Sequence, residues 1–205
     1  TVSTVSRNVG VEGSFSTTKS GLIYEYTTGI ENAASLTQIA AADLAFYTSS
    51  DGKARSGLLK GVREQSVMAS FDMNGDGDAA DSGETNPVGS VTEGVDLSGT
   101  RTQTLAQSSY TIILNRALPV VVMNFSHSTT LDGSKGFTRG AVRSAYTDGS
   151  ETAAELANTN YGVGGVIRPE LIDPPTGKIY RGLLKSVTEP SGSVDRFDWN
   201  DDGDT

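Results

Sequence analysis

Two short segments gather oxygen ligands at regular spacing, FDMNGDGDAADSGE at 71–84 and FDWNDDGDT at 197–205. In the first, Asp72, Asn74 and Asp76 stand at alternate positions, followed by Gly77 and Asp78. The second repeats the order as Asp198, Asn200, Asp202, Gly203 and Asp204. A loop wound tightly about a cation turns the oxygens of positions one, three and five inward and needs glycine at the sixth for the bend. Carboxylate and amide oxygens in that order suit a hard cation, calcium above all. Residues 72–84 hold five acids and no base. Their mutual repulsion predicts a loop that loosens when calcium is withdrawn.

The pattern resembles the D-x-[DN]-x-D-G loops of EF-hands, dockerins and thrombospondin type 3 repeats, over about a dozen residues per loop. The resemblance implies calcium held by Asp72, Asn74, Asp76 and Asp78, and by Asp198, Asn200, Asp202 and Asp204. Asp78 contributes either its carbonyl or its carboxylate. Where an EF-hand places a bidentate glutamate, at position twelve, this chain has Gly83, and Glu84 comes one place later. Closure then falls to Asp81 or Glu84 in a variant geometry. The second loop has no counterpart of Glu84, so its site is expected to be weaker unless a ligand comes from elsewhere, a second molecule included.

Other chemistries find little support. The chain has no cysteine, which removes disulfides, thiolate catalysis and cysteine-based zinc sites. His127 is the only histidine, without a G-x-S-x-G elbow or an H-E-x-x-H pair, and is expected to be structural. A net charge of -9 with no Lys/Arg cluster argues against nucleic acid. No apolar run approaches the roughly 20 residues of a membrane span. Trp199, inside the second acidic loop, is expected to point away from the metal and pack, with a stacked sugar or an interface as its sharper reading.

The elements that must position these loops follow from self-comparison, because the chain is internally repeated. Residues 13–36 and 133–156 share ten of 24 positions at an offset of 120. GKARSGLLKGV (52–62) and GKIYRGLLKSV (177–187) share seven of eleven, and the two acidic loops six of eight. Three blocks in one order imply a duplication, with a first unit over 1–120 and a second, incomplete one over 121–205. Residues 79–120 have no counterpart. The second unit is therefore expected to find a closing strand in further chain beyond Thr205 or in a neighbouring molecule, rather than on loan from the first unit, since a bare sheet edge is an aggregation hazard.

Each unit reads as a strand (Leu22–Thr27, Ala141–Tyr146), a glycine turn, a short helix, a GK-containing turn, a GLLK strand or helix end, and the acidic loop. The helix is predicted over Asn32–Phe46, with Leu36, Ile39, Ala40 and Leu44 as its apolar stripe and Asp43 interrupting it. A second is predicted at Thr152–Ala157. The most strand-like stretch, 108–126, carries β-branched and aromatic runs on either side of Asn115–Pro119. The expected fold is β-rich α+β, sandwich-like, with tandem duplicated units, short helices and calcium loops. The expected role is a calcium-binding structural or adhesive protein of the cell surface or extracellular space, not an enzyme, self-assembling as a homo-oligomer through strand addition. The alternative is a glycan-binding or accessory module of a secreted hydrolase.

Overall fold

The computed structural model describes residues 1–74, 78–152, 162–163, 166–167, 171–173, 177–189 and 194–198. Thirteen strands occur among them: β1 (Val2–Val9), β2 (Phe15–Tyr26), β3 (Leu59–Glu64), β4 (Ser90–Val95), β5 (Arg101–Ile113), β6 (Arg116–Thr129), β7 (Lys135–Tyr146), β8 (Gly162–Val163), β9 (Val166–Ile167), β10 (Ile172–Asp173), β11 (Lys178–Ile179), β12 (Leu184–Thr188) and β13 (Val194–Asp198). Nine form one antiparallel sheet in the order β1-β2-β4-β5-β6-β7-β12, with β3 also on β2 and β13 also on β7. Short ladders join β8 to β9 and β10 to β11.

The strand-like stretch 108–126 falls within β5 and β6, two strands that form a hairpin at the centre of the sheet. β5 and β6 meet through Leu114 and Asn115, both left-handed at φ 52° and 61°, the two-residue turn whose twist matches the strands it joins. Asn115 is fixed there, because its Oδ1 accepts the Leu59 amide at 2.7 Å and the Tyr47 hydroxyl at 3.2 Å.

Among the described residues no long helix covers the sheet. Over 32–47 the chain makes 3₁₀ turns at Ala33–Ser35 and Ala41–Asp43 and one α-helical turn, α1 (Leu44–Tyr47). The backbone of Gln38–Ala40 pairs with the sheet instead of with itself. The Ile112 amide donates to the Gln38 carbonyl at 2.7 Å, and the Ala40 amide to the Ile112 carbonyl at 2.9 Å. The Gln38 side chain clasps Val62 by both its amide and its carbonyl. The apolar stripe still reaches the core, where Leu36 and Ile39 pack with Tyr47, Leu59, Val62 and Ile112. The helix predicted at Thr152–Ala157 falls, beyond Thr152, outside the described residues.

Two cores lie on opposite faces and towards opposite ends of the sheet. Alternation and register put Leu22, Val62, Tyr110 and Ile112 on one face, under residues 27–58. They put Val91, Leu105, Phe125 and Phe137 on the other, where Val67 and Phe71 join them from the segment between β3 and β4. Among the described residues, irregular chain covers one end of each face. This arrangement, one sheet with two half-covers, differs from the expected sandwich of two sheets.

Candidate functional site

β3 and β4 lie end to end along β2, since Glu64 pairs with Leu22 and Ser90 with Ser20. Residues 65–89 are the excursion between them, and the first acidic loop is its tip. The neck is zipped by bridges between Ser66 and Val88 and between Ser70 and Thr85. The Val67 amide donates to Pro87 at 3.0 Å, Asn86 to Ala69 at 2.7 Å and Phe71 to Glu84 at 2.9 Å. Phe71, fully buried, anchors the excursion edge-on against Phe125 and His127. His127 Nε2 bonds the Asp72 carbonyl, which requires the proton on that nitrogen, so the single histidine ties the first loop residue to β6.

At the tip, Glu84 is 2 % exposed. Its Oε1 accepts the Met73 amide at 2.7 Å and its Oε2 the Asp81 amide at 3.0 Å, so one carboxylate closes the loop from both sides. Asn74 Nδ2 donates to Asp81 Oδ2 at 2.8 Å. Asp78 Oδ1 accepts the Ala80 amide at 2.8 Å. Thus Asn74, Asp81 and Glu84 come together, with Asp72 at the neck, while Asp76 lies outside the described residues. The donors are all oxygens, the chemistry a hard cation prefers. Among the described residues, no three acidic or histidine side chains converge as a ligand group.

The second acidic segment is placed differently. Phe71 and Asp72 lie outside any strand, whereas the backbone of Phe197 and Asp198 is part of β13, opposite Gly136 and Lys135. At the offset of 120, Lys135–Arg139 corresponds to Phe15–Lys19, the part of β2 that pairs with β4. β13 thus occupies on β7 the position that β4 occupies on β2. Trp199, Asn200, Asp202 and Asp204 lie outside the described residues.

A second construction recurs around Thr27 and Thr147, both buried. The Thr27 amide donates to Leu58 at 2.8 Å and its carbonyl accepts Gly57 at 2.8 Å. The Thr147 amide and carbonyl do the same with Leu183 and Gly182, each at 2.8 Å. Each hydroxyl donates to a backbone carbonyl, of Arg55 or Tyr180, and accepts the amide of Leu58 or Leu183. Gly29 and Gly149 follow at φ 93° and 88°, a conformation open to glycine, and donate to Glu31 and Glu151 at 3.1 Å each. Lys60 pairs with Glu31 at 2.7 Å and Lys185 with Glu151 at 3.2 Å. The Lys60 ammonium, helped by loop amides and the Thr28 hydroxyl, holds the Glu31 carboxyl down to about 2.

One buried pair was not legible in the sequence. Asp43, 1 % exposed, accepts the Leu114 amide at 2.9 Å and faces the Arg181 guanidinium, which also donates to the Ala42 carbonyl at 3.0 Å. It joins the 41–47 turns, the β5–β6 hairpin and the strand connection before β12. The interruption of the apolar stripe was its one sequence signal. The chain matches no family model, no curated protein and no solved structure.

Proposed function

We propose that the chain is a calcium-binding structural protein of the cell surface or extracellular space, built of two duplicated units and assembling by strand addition. The observation that carries the calcium reading is Glu84, a buried carboxylate turned into a loop with Asp72, Asn74, Asp78 and Asp81 and without a base. Both Glu84 oxygens accept a loop amide, and a hard cation adds compensation for the neighbouring acids, which have no base among them in 72–84. Calcium acts here as a brace, setting the acidic tip of the 65–89 excursion against its zipped neck. No catalysis is assigned to the chain.

The matched brackets at Thr27 and Thr147 support the duplication, because hydrogen bonds recur where the sequence repeats. The hairpins entering β2 and β7 add to this. Gly13 donates to Gly10 at 3.0 Å and Gly133 to Thr130 at 3.1 Å, so β1 stands to β2 as β6 stands to β7. β6 has β5 along its other side, whereas β1 has no outer strand among the described residues and is exposed throughout. That edge, bearing Val2, Val5 and Val9, is the place for an added antiparallel strand.

A thermal melt with simultaneous light scattering, in millimolar calcium and again in excess chelator, tests the reading. Calcium at about 1–10 times its Kd stabilises by about 0.4–1.4 kcal/mol, which for a chain of this size raises Tm by roughly 1–6 °C. Scattering that rises with calcium supports assembly. An unchanged Tm removes calcium from the account, and a rise in Tm without scattering keeps the metal and removes metal-driven assembly.

A further inference from the structure

The register of the large sheet lines up Ser6, Thr18, Thr92, Thr104, Ser126 and Thr138 in one rank across β1, β2, β4, β5, β6 and β7. The ranks two residues to either side contain only Ser, Thr, Asn, Gly and Ala. Eighteen positions on one face therefore carry no charge and no side chain larger than asparagine. At the chain's 20 % charged content, about four would carry a charge if the face were ordinary solvated surface. The charged residues of the same strand segments, Arg7, Lys19, Glu93 and Arg139, stand at the alternate positions, on the opposite face.

None of the eighteen is buried, and the cover of residues 27–58 packs on the Leu22, Tyr110 and Ile112 end of this face. A Cβ added at Gly140 would meet nothing within 4 Å. Within the rank, Thr18 and Thr92 share a hydrogen bond of 2.9 Å and Thr104 and Ser126 one of 3.4 Å.

We infer that this hydroxyl face is a stacking surface for a second copy of the same chain. Two chains of net charge -9 repel, and this patch lets them meet without bringing charge to charge. Adjacent strands of a sheet are rotated by about 20–25°, so the six-strand face is twisted. A second sheet of the same twist stacks at the usual aligned angle of about 30°. Six strands about 4.8 Å apart and three ranks about 6.8 Å apart give roughly 500–600 Å² per partner, near the lower bound for a specific interface. The association is accordingly weak and reversible.

Sedimentation equilibrium of the full chain in chelator, over a concentration series up to about 500 µM, tests the inference apart from calcium. The wild-type mass is expected to climb from 21.4 kDa towards twice that value. Thr104→Lys, a charge at the centre of the rank, should hold the protein monomeric with an unchanged melt. Ser109→Lys, on the opposite face, should leave dimerisation intact. A wild type that stays monomeric overturns the inference, as does a Thr104→Lys variant that dimerises like wild type. Dimerisation that survives Thr104→Lys but is lost in Val5→Pro overturns it in favour of the β1 edge.

Discussion

Thr27 and Thr147 perform one task twice: each buried threonine bonds, through its amide, carbonyl and hydroxyl, the turn that precedes a GLLK strand. The partners are Arg55, Gly57 and Leu58 for the first and Tyr180, Gly182 and Leu183 for the second. A buried hydroxyl that both donates and accepts is costly to remove, since its partners stay behind unpaired. Thr27→Val should destabilise by about 1–3 kcal/mol, and Thr147→Val by a similar amount, as read from urea midpoints. Thr27→Ser, which keeps the oxygen, should recover most of the loss.

The Glu31 carboxyl, depressed to about 2 beside Lys60, makes a pH-dependent contribution of known sign. A carboxyl whose folded value lies below its unfolded one stabilises fully above the unfolded value, and that stability is lost as pH falls through the folded value. Glu31→Gln should therefore be less stable than wild type at neutral pH, with the gap narrowing between 4.5 and about 2. Denaturant melts at both ends of that range check this; a constant gap contradicts it.

Asp43 ties parts of the chain that are distant in sequence, through the Leu114 amide and Arg181. Asp43→Ala should cost about 2–3 kcal/mol, because a buried amide and a guanidinium lose a charged partner together. Arg181→Ala alone should cost less, since Asp43 keeps the Leu114 amide. Comparing both with the double variant measures their coupling.

What the sequence made legible was local or repetitive. The strand character of β5 and β6 follows from apolar runs flanking Asn115, though not their folding into a hairpin, and the turns at Gly29 and Gly149 follow from glycine after TT or TD. The helix expected over Asn32–Phe46 failed because Gln38 and Ala40 bond Val62 and Ile112, partners no local window contains. The Asp43–Arg181 pair is non-local in the same way. Glu84 was legible as a candidate ligand by its place after Gly83. Its burial and its grip on the Met73 and Asp81 amides depend on how Phe71 seats the excursion against Phe125 and His127. The abundance of Ser and Thr was plain in the composition, but only the register of six strands sorts those residues onto one face.

Glu84 should be the most sensitive position in the acidic loop. Glu84→Gln keeps a carbonyl oxygen for one amide, turns a donor towards the other and removes the charge, so two effects separate. Without calcium it should lower Tm modestly; with calcium it should lose most of the wild-type stabilisation. Tm shifts of both proteins against calcium concentration give the comparison. An equal calcium response in the two assigns Glu84 to loop closure only.

Calorimetric titration of calcium into chelator-stripped wild-type protein tests the central claim most directly. The account predicts saturable binding with a Kd of roughly 10⁻⁴–10⁻³ M, the range of extracellular calcium modules, weakened at least tenfold by Asp76→Asn. Absence of saturable binding up to about 10 mM calcium would contradict it, leaving the 71–84 loop an acidic turn closed by Glu84 alone.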